Sequence, residues 1–113
     1  MTDKLFLMKP GFRNAGLGPF YCGDSVSVEG LLGFFPALRE KLDVTYIDFP
    51  RPRRAIVELI GEANQSVPVL VLAEDASIPS GMNPKEAEGH RYIDDERLIR
   101  QYLSARHALP TAG

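Results

Sequence analysis

The chain has 113 residues, 44% of them hydrophobic and 25% charged, with a formal net charge of −2. These values suit one small globular domain over residues 1–113 and exclude a disordered chain; the charge balance carries no basic footprint for nucleic acid. A single cysteine excludes an intrachain disulfide and a zinc site built on several thiolates, so no metal is expected.

Leu5, Phe6, Leu7 and Met8 form a short apolar run stopped by Lys9, Pro10 and Gly11, the pattern of a buried strand. Residues 10–20 hold Pro10, Gly11, Asn14, Gly16, Gly18 and Pro19, which is loop composition. From Ser25 the apolar residues Val28, Leu31, Leu32, Phe35, Leu38 and Leu42 fall at helical spacing. Pro36 lies inside that helix, removes one backbone hydrogen bond and bends the axis.

Residues 44–49 read as a second strand, ended by Pro50 and Pro52. Ile56, Val57, Leu59 and Ile60 place a second helix over residues 53–63, with Asn64 as its stop. Residues 67–72 form a third strand with Pro68 near its start. Residues 73–90 are polar and turn-rich and read as a long loop. Residues 91–93 suit a short fourth strand, and Asp94 an N-cap for a last helix over residues 95–107.

The order β-α-β-α-β-β-α predicts an α/β domain with a four-stranded mixed sheet flanked by helices. The first two strands should be parallel, joined by a right-handed crossover, and the last two should pair as a hairpin. No apolar run approaches a membrane span. The N-terminal apolar stretch is too short for a signal peptide, so the expected setting is cytoplasmic, without membrane contact.

Cys22 stands where the first helix begins. A helix N-terminus presents unpaired N–H groups and partial positive charge, and both favour a thiolate, the reactive form of cysteine. Asp24, two residues on, opposes a second negative charge. The bland alternative is a partly buried thiol acting as a small hydrophobe. Asp94, Asp95 and Glu96 stabilise a first helical turn whether or not they bind anything. Arg51, Arg53 and Arg54 crowd a helix start, where positive charge is unfavourable, and arginine clusters suit carboxylate or phosphate recognition; the plain alternative is a solvated face paired with Asp48 and Glu58. His90 and His107 are far apart in sequence and suit surface or capping roles.

Cys22, Gly23, Asp24 and Ser25 together resemble the C-x-x-S form of a redox motif, and Val67-Pro68 resembles a cis-proline segment. With Asp94, Asp95 and Glu96 opening the last helix and Ile99, Tyr102 and Leu103 within it, the chain resembles the thioredoxin-like superfamily, nearest to glutaredoxins and the N-terminal domains of glutathione transferases. It is also similar, over nearly its whole length, to a bacterial family of thioredoxin-like proteins catalogued as a domain of unknown function, through residues 49–53 and 61–68.

The resemblance implies monothiol, glutathione-linked thiol–disulfide exchange, since Ser25 cannot act as a resolving thiol. Cys22 would be the nucleophile and Ser25 a hydrogen-bond donor to its thiolate. Pro68 would form the wall opposite the sulfur, with Val67 pairing with a bound peptide. Asp95 and Glu96 would meet the γ-glutamyl end of glutathione, and Lys9 and Arg53 its negative charge. Tyr21 is a weaker candidate for activating a thiol. The partner would be glutathione or a protein thiol. The alternative is a redox-inactive binding or interaction protein on the same scaffold, with a homodimer as one form. An iron–sulfur cluster would need thiolates from two chains plus glutathione, and Asp24 replaces the aromatic residue usual in that motif.

Overall fold

In the computed structural model, which describes residues 1–113, the first strand is the hub of a mixed five-stranded sheet. β1 (Asp3–Met8) is followed by a small hairpin, β2 (Phe12–Asn14) and β3 (Leu17–Phe20). Then come α1 (Gly23–Phe34), α2 (Leu38–Lys41), β4 (Leu42–Ile47), α3 (Arg54–Ile60), β5 (Val69–Val71), β6 (Lys85–Ala87), β7 (His90–Ile93) and α4 (Glu96–Arg106). The sheet order is β4-β1-β5-β7-β6. β1 and β4 are parallel, with Asp3 opposite Leu42 and Met8 opposite Ile47. All other pairs in the sheet are antiparallel.

Side-chain alternation along β1 explains its unbroken apolar run. Leu5 and Leu7 enter a core with Val28 and Leu32 of α1 and Ile99, Tyr102 and Leu103 of α4. Phe6 points to the other face, where Ile56 and Ile60 of α3 pack with Val69, Val71 and Tyr92. Thus α1 and α4 cover one face and α3 the other. Leu5, Val28, Leu70, Ile56, Ile99, Tyr102 and Leu103 are fully buried.

Several sequence expectations change in detail. The sheet has five strands rather than four, because Lys85–Ala87, inside the expected 73–90 loop, pairs along β7 as an edge strand. The 10–20 loop contains the β2–β3 hairpin, closed by Ala15 and Gly16, both at positive φ (53° and 76°), as a tight two-residue turn needs. Pro36 breaks the first helix instead of bending it: α1 ends at Phe34 and α2 is a separate turn. α3 ends at Gly61, with φ of 87°, and Asn64 helps by donating from Nδ2 to the Ile60 carbonyl. The α4 N-cap is Asp95, not Asp94; its carboxylate accepts the Leu98 N–H at 3.0 Å. Asp94 instead pairs with Lys85 at 3.1 Å.

Two long-range ties close the structure. Asp3, 7% exposed, accepts the Ala73 N–H at 2.7 Å and the Tyr102 hydroxyl at 3.0 Å. Arg91 donates from one Nη to the carbonyls of Ala73, Glu74 and Ala76, fixing the start of the following loop.

Candidate thiol site

Cys22 is the N-cap of α1, with extended backbone (φ −85°, ψ 114°). Its Sγ accepts the Ser25 N–H at 3.4 Å, and its carbonyl accepts the Val26 N–H at 3.0 Å. The sulfur therefore takes the place that a Ser, Thr or Asp oxygen occupies at an ordinary helix start, satisfying one otherwise orphaned donor. The thiol is half-buried and free.

Ser25 is buried, and its hydroxyl oxygen accepts the Met8 N–H at 3.0 Å. The contact from Ser25 to the sulfur is therefore made by its backbone, while its side chain fastens the helix start to the end of β1. Ser25→Ala should leave the buried Met8 N–H unpaired and lower stability by about 1–3 kcal/mol. Chemical denaturation would show this as a lower midpoint, with Cys22 still open to alkylation in the folded state.

Cys22 opens on a cavity of about 100 Å³ between Leu7, Met8 and Tyr46 of the sheet and Val26 and Glu29 of α1, with Tyr21 also in its wall. Glu29 accepts a hydrogen bond from the Tyr46 hydroxyl and pairs with Arg39, which also donates to Tyr46. Burial first, and then the bond to Glu29, raise the Tyr46 pKa above its usual value. Glu29 and Tyr46 were not singled out from the sequence. Glu29 was legible as the residue one helical turn beyond Ser25; Tyr46 needed the register of β4 against β1.

The other candidates have partners of their own. Lys9 pairs with the exposed Asp48 at 3.1 Å and lines a separate open cleft of about 450 Å³, formed with Phe12, Arg13 and Phe49. That larger cleft is not lined by Cys22. Arg53 is buried (8% exposed) and donates from Nε and Nη2 to the Phe49 carbonyl (3.1 and 2.8 Å) and from Nη1 to the Gln65 carbonyl (2.7 Å). Its backbone N–H donates to Gln65 Oε1 at 2.8 Å. The expected pairing of the arginines with Asp48 is replaced by the Lys9 pair. Burial first, and then the charge of Arg51, lower the Arg53 pKa, while the charge of Cys22 acts to raise it.

Asp95 spends one carboxylate oxygen on its helix cap. Glu96 bridges helices: its Oε2 accepts from Ser27 Oγ at 2.6 Å and from Arg100 Nε at 3.0 Å. The Ser27 bond is the largest cause holding the Glu96 carboxyl below its ordinary range; burial opposes it next, and the bond and charge of Arg100 add to the lowering. The Val67-Pro68 bond is cis and opens β5. Register places it beside the C-terminal end of β1, because Phe6 pairs with Val69 and the strands are antiparallel. Pro68 thus lies level with Leu7, near the end of β1 that Ser25 fastens to α1, Arg53 follows the carboxyl end of β4, and Lys9 turns to Asp48.

No group of three or more His, Cys, Asp or Glu side chains is placed to hold a metal ion. No helix is long and apolar enough to cross a membrane. No curated protein matches the chain, and no solved structure does. A family model described as "Protein of unknown function (DUF3088)" matches residues 2–111, almost the full length, and the chain belongs to that family.

Proposed function

We propose that the chain is a thioredoxin-like domain carrying out monothiol, glutathione-linked thiol–disulfide exchange at Cys22, in a cytoplasmic setting. The observation that carries this reading is the sulfur at the α1 N-cap, accepting the Ser25 N–H at 3.4 Å at the head of a 12-residue helix. Negative charge at a helix start is favoured by the N–H groups and the dipole together. Further support comes from the sheet: without β6, its order is β4-β1-β5-β7, with α1 and α4 on one face and α3 on the other.

In the proposed cycle the Cys22 thiolate attacks the glutathione sulfur of a protein–glutathione mixed disulfide. The new bond joins Cys22 to glutathione, and the protein thiolate leaves with the electron pair of the broken bond. A second glutathione thiolate then attacks the Cys22-bound sulfur, forming glutathione disulfide and returning Cys22 as thiolate. The chain supplies the helix start and the Ser25 N–H. Incubation with glutathione disulfide should give one glutathione adduct by intact mass, absent in Cys22→Ser and removed by reduced glutathione. A folded protein that takes up no glutathione, while its free thiol still alkylates, would rule the exchange out.

One observation favours the second reading, a redox-inactive binding protein on the same scaffold. The side chains of Lys9, Arg53, Asp95 and Glu96 are each already bonded within the chain, to side chains or to backbone groups. A glutathione molecule would have to share these side chains with their present partners or displace the partners.

A further inference from the structure

His107, expected in a surface or capping role, is the C-cap of α4: its backbone N–H donates to the Leu103 carbonyl at 3.0 Å. Its side chain is anomalous. His107 Nε2 is the one buried side-chain nitrogen or oxygen in the chain that has no hydrogen-bond partner. Folded proteins leave few buried polar atoms unpaired, because each one costs free energy.

The chain folds back over this helix end. Ala108 is left-handed (φ 56°), and the Leu109 N–H donates to the Ser104 carbonyl at 2.9 Å, as in a Schellman turn. The buried Ser104 hydroxyl donates to the Pro110 carbonyl at 3.0 Å, and Leu109 packs on the main core. Residues 108–110 are therefore a short strap. Alanine at the left-handed position, where glycine would be free of strain, weakens it.

The imidazole lines a cavity of about 90 Å³ beside the start of β1. The charged groups around that cavity are Asp3 of β1, Lys41 of α2, Asp75 from the segment after β5, Arg106 of α4 and Met1 with its α-amino group. Neither Lys41 nor Arg106 forms an ion pair within the chain. The Asp3 carboxylate accepts from Ala73 on one oxygen and Tyr102 on the other, and nothing from His107. Protonation puts an N–H on both ring nitrogens and a full charge on the ring. In this place the Nε2 donor finds no acceptor, the charge finds no water, and Lys41 and Arg106 repel it. Burial first, and then the charges of Arg106 and Lys41, lower the His107 pKa, while Asp3 opposes them.

We infer that His107 is an acid-released catch: uptake of one proton by its imidazole turns the ring out to water and frees the strap of residues 108–110 from the end of α4. Ring and strap share the peptide between His107 and Ala108, and the left-handed Ala108 is where the chain gives most easily. In the released form the ring takes up its proton near the ordinary value of about 6.5, and in the closed form only at lower pH. Closure is therefore complete above about pH 6.5 and weakens as the pH falls. The open-to-closed ratio rises by up to about tenfold for each pH unit, until the closed form is itself protonated.

Amide hydrogen exchange of the full chain, followed by NMR from about pH 7.5 to about pH 5, tests this. Corrected for the intrinsic exchange rate, protection of the Leu109 amide should be level above about pH 7 and then fall by up to about tenfold per unit, while β1 and β5 lose far less. His107→Leu, which fills the same space without titrating, should keep Leu109 protection level throughout. The ring signals supply a reading that needs no variant: His107 should titrate below about 6.5. A His107 ring that titrates at the ordinary value would overturn the inference. So would Leu109 protection that stays level in the wild type, a fall shared equally by β1 and β5, or the same fall in His107→Leu.

Discussion

Raising the pH from about 10 to about 12 should remove about 2–3 kcal/mol of stability through Tyr102 alone, because each tenfold change in acidity is worth about 1.4 kcal/mol. Tyr102 is fully buried, and its pKa is pushed up to about 12, first by burial and then by the charge of Asp3, to which its hydroxyl donates. In the unfolded chain the phenol loses its proton near the ordinary value of about 10. Between these two values the folded chain holds a proton that the unfolded chain has released. Stability from this group is complete below pH 10 and falls as the pH climbs toward 12. Urea titrations of wild type and Tyr102→Phe across this range isolate the effect. The variant should be weaker at neutral pH, by about 1–3 kcal/mol, because Asp3 loses a buried donor. It should also lose less stability on going alkaline. If both proteins show the same alkaline slope, another group governs the transition.

Arg53→Ala should destabilise the chain by roughly 2–4 kcal/mol, since two carbonyls held by the guanidinium lose their donor. In a domain of this size that corresponds to a fall in Tm of roughly 10 °C or more. The effect should spread. The guanidinium lies 5.6 Å from the centre of the Phe49 ring, and Phe49 stacks on Phe12 at 4.6 Å. The β2–β3 hairpin is therefore docked on the segment that Arg53 holds. Arg53→Lys should recover only part of the loss, because an ammonium cannot reproduce the fork that reaches both carbonyls. An Arg53→Ala protein that melts like the wild type but fails to exchange with glutathione would make Arg53 a ligand residue instead of a staple.

What the sequence disclosed was set by how local each signal is. The buried strands β1 and β5 and the α4 stripe of Ile99, Tyr102 and Leu103 follow from periodicity within a few residues. The hairpin escaped because Gly16, Gly18 and Pro19 read as loop, and Ala15-Gly16 is not among the strong turn pairs. Asp94 and Asp95 offer the same capping chemistry, and only the pairing of Asp94 with Lys85 decides between them. Cys22 at a helix start was legible. What was not legible was which neighbours had already been taken: the Ser25 hydroxyl by Met8, Glu96 by Ser27, Arg53 by Phe49 and Gln65. Three of these contacts join parts of the chain 12 to 69 residues apart, beyond the reach of any local pattern.

The Asp3 tie also bears on the order in which the chain can be completed during synthesis. Asp3 is made early in this domain, yet its two donors lie 70 and 99 positions later. Until Ala73 and then Tyr102 are added, its carboxylate has no place in a dry core and must stay hydrated, so the start of β1 cannot settle fully into the sheet. A nascent chain ending before Tyr102 would hold all the strands but carry an open groove where α4 belongs, with Leu5, Leu70 and Ile93 facing water. Completion of this domain is therefore a late, nearly single event that waits on its final helix.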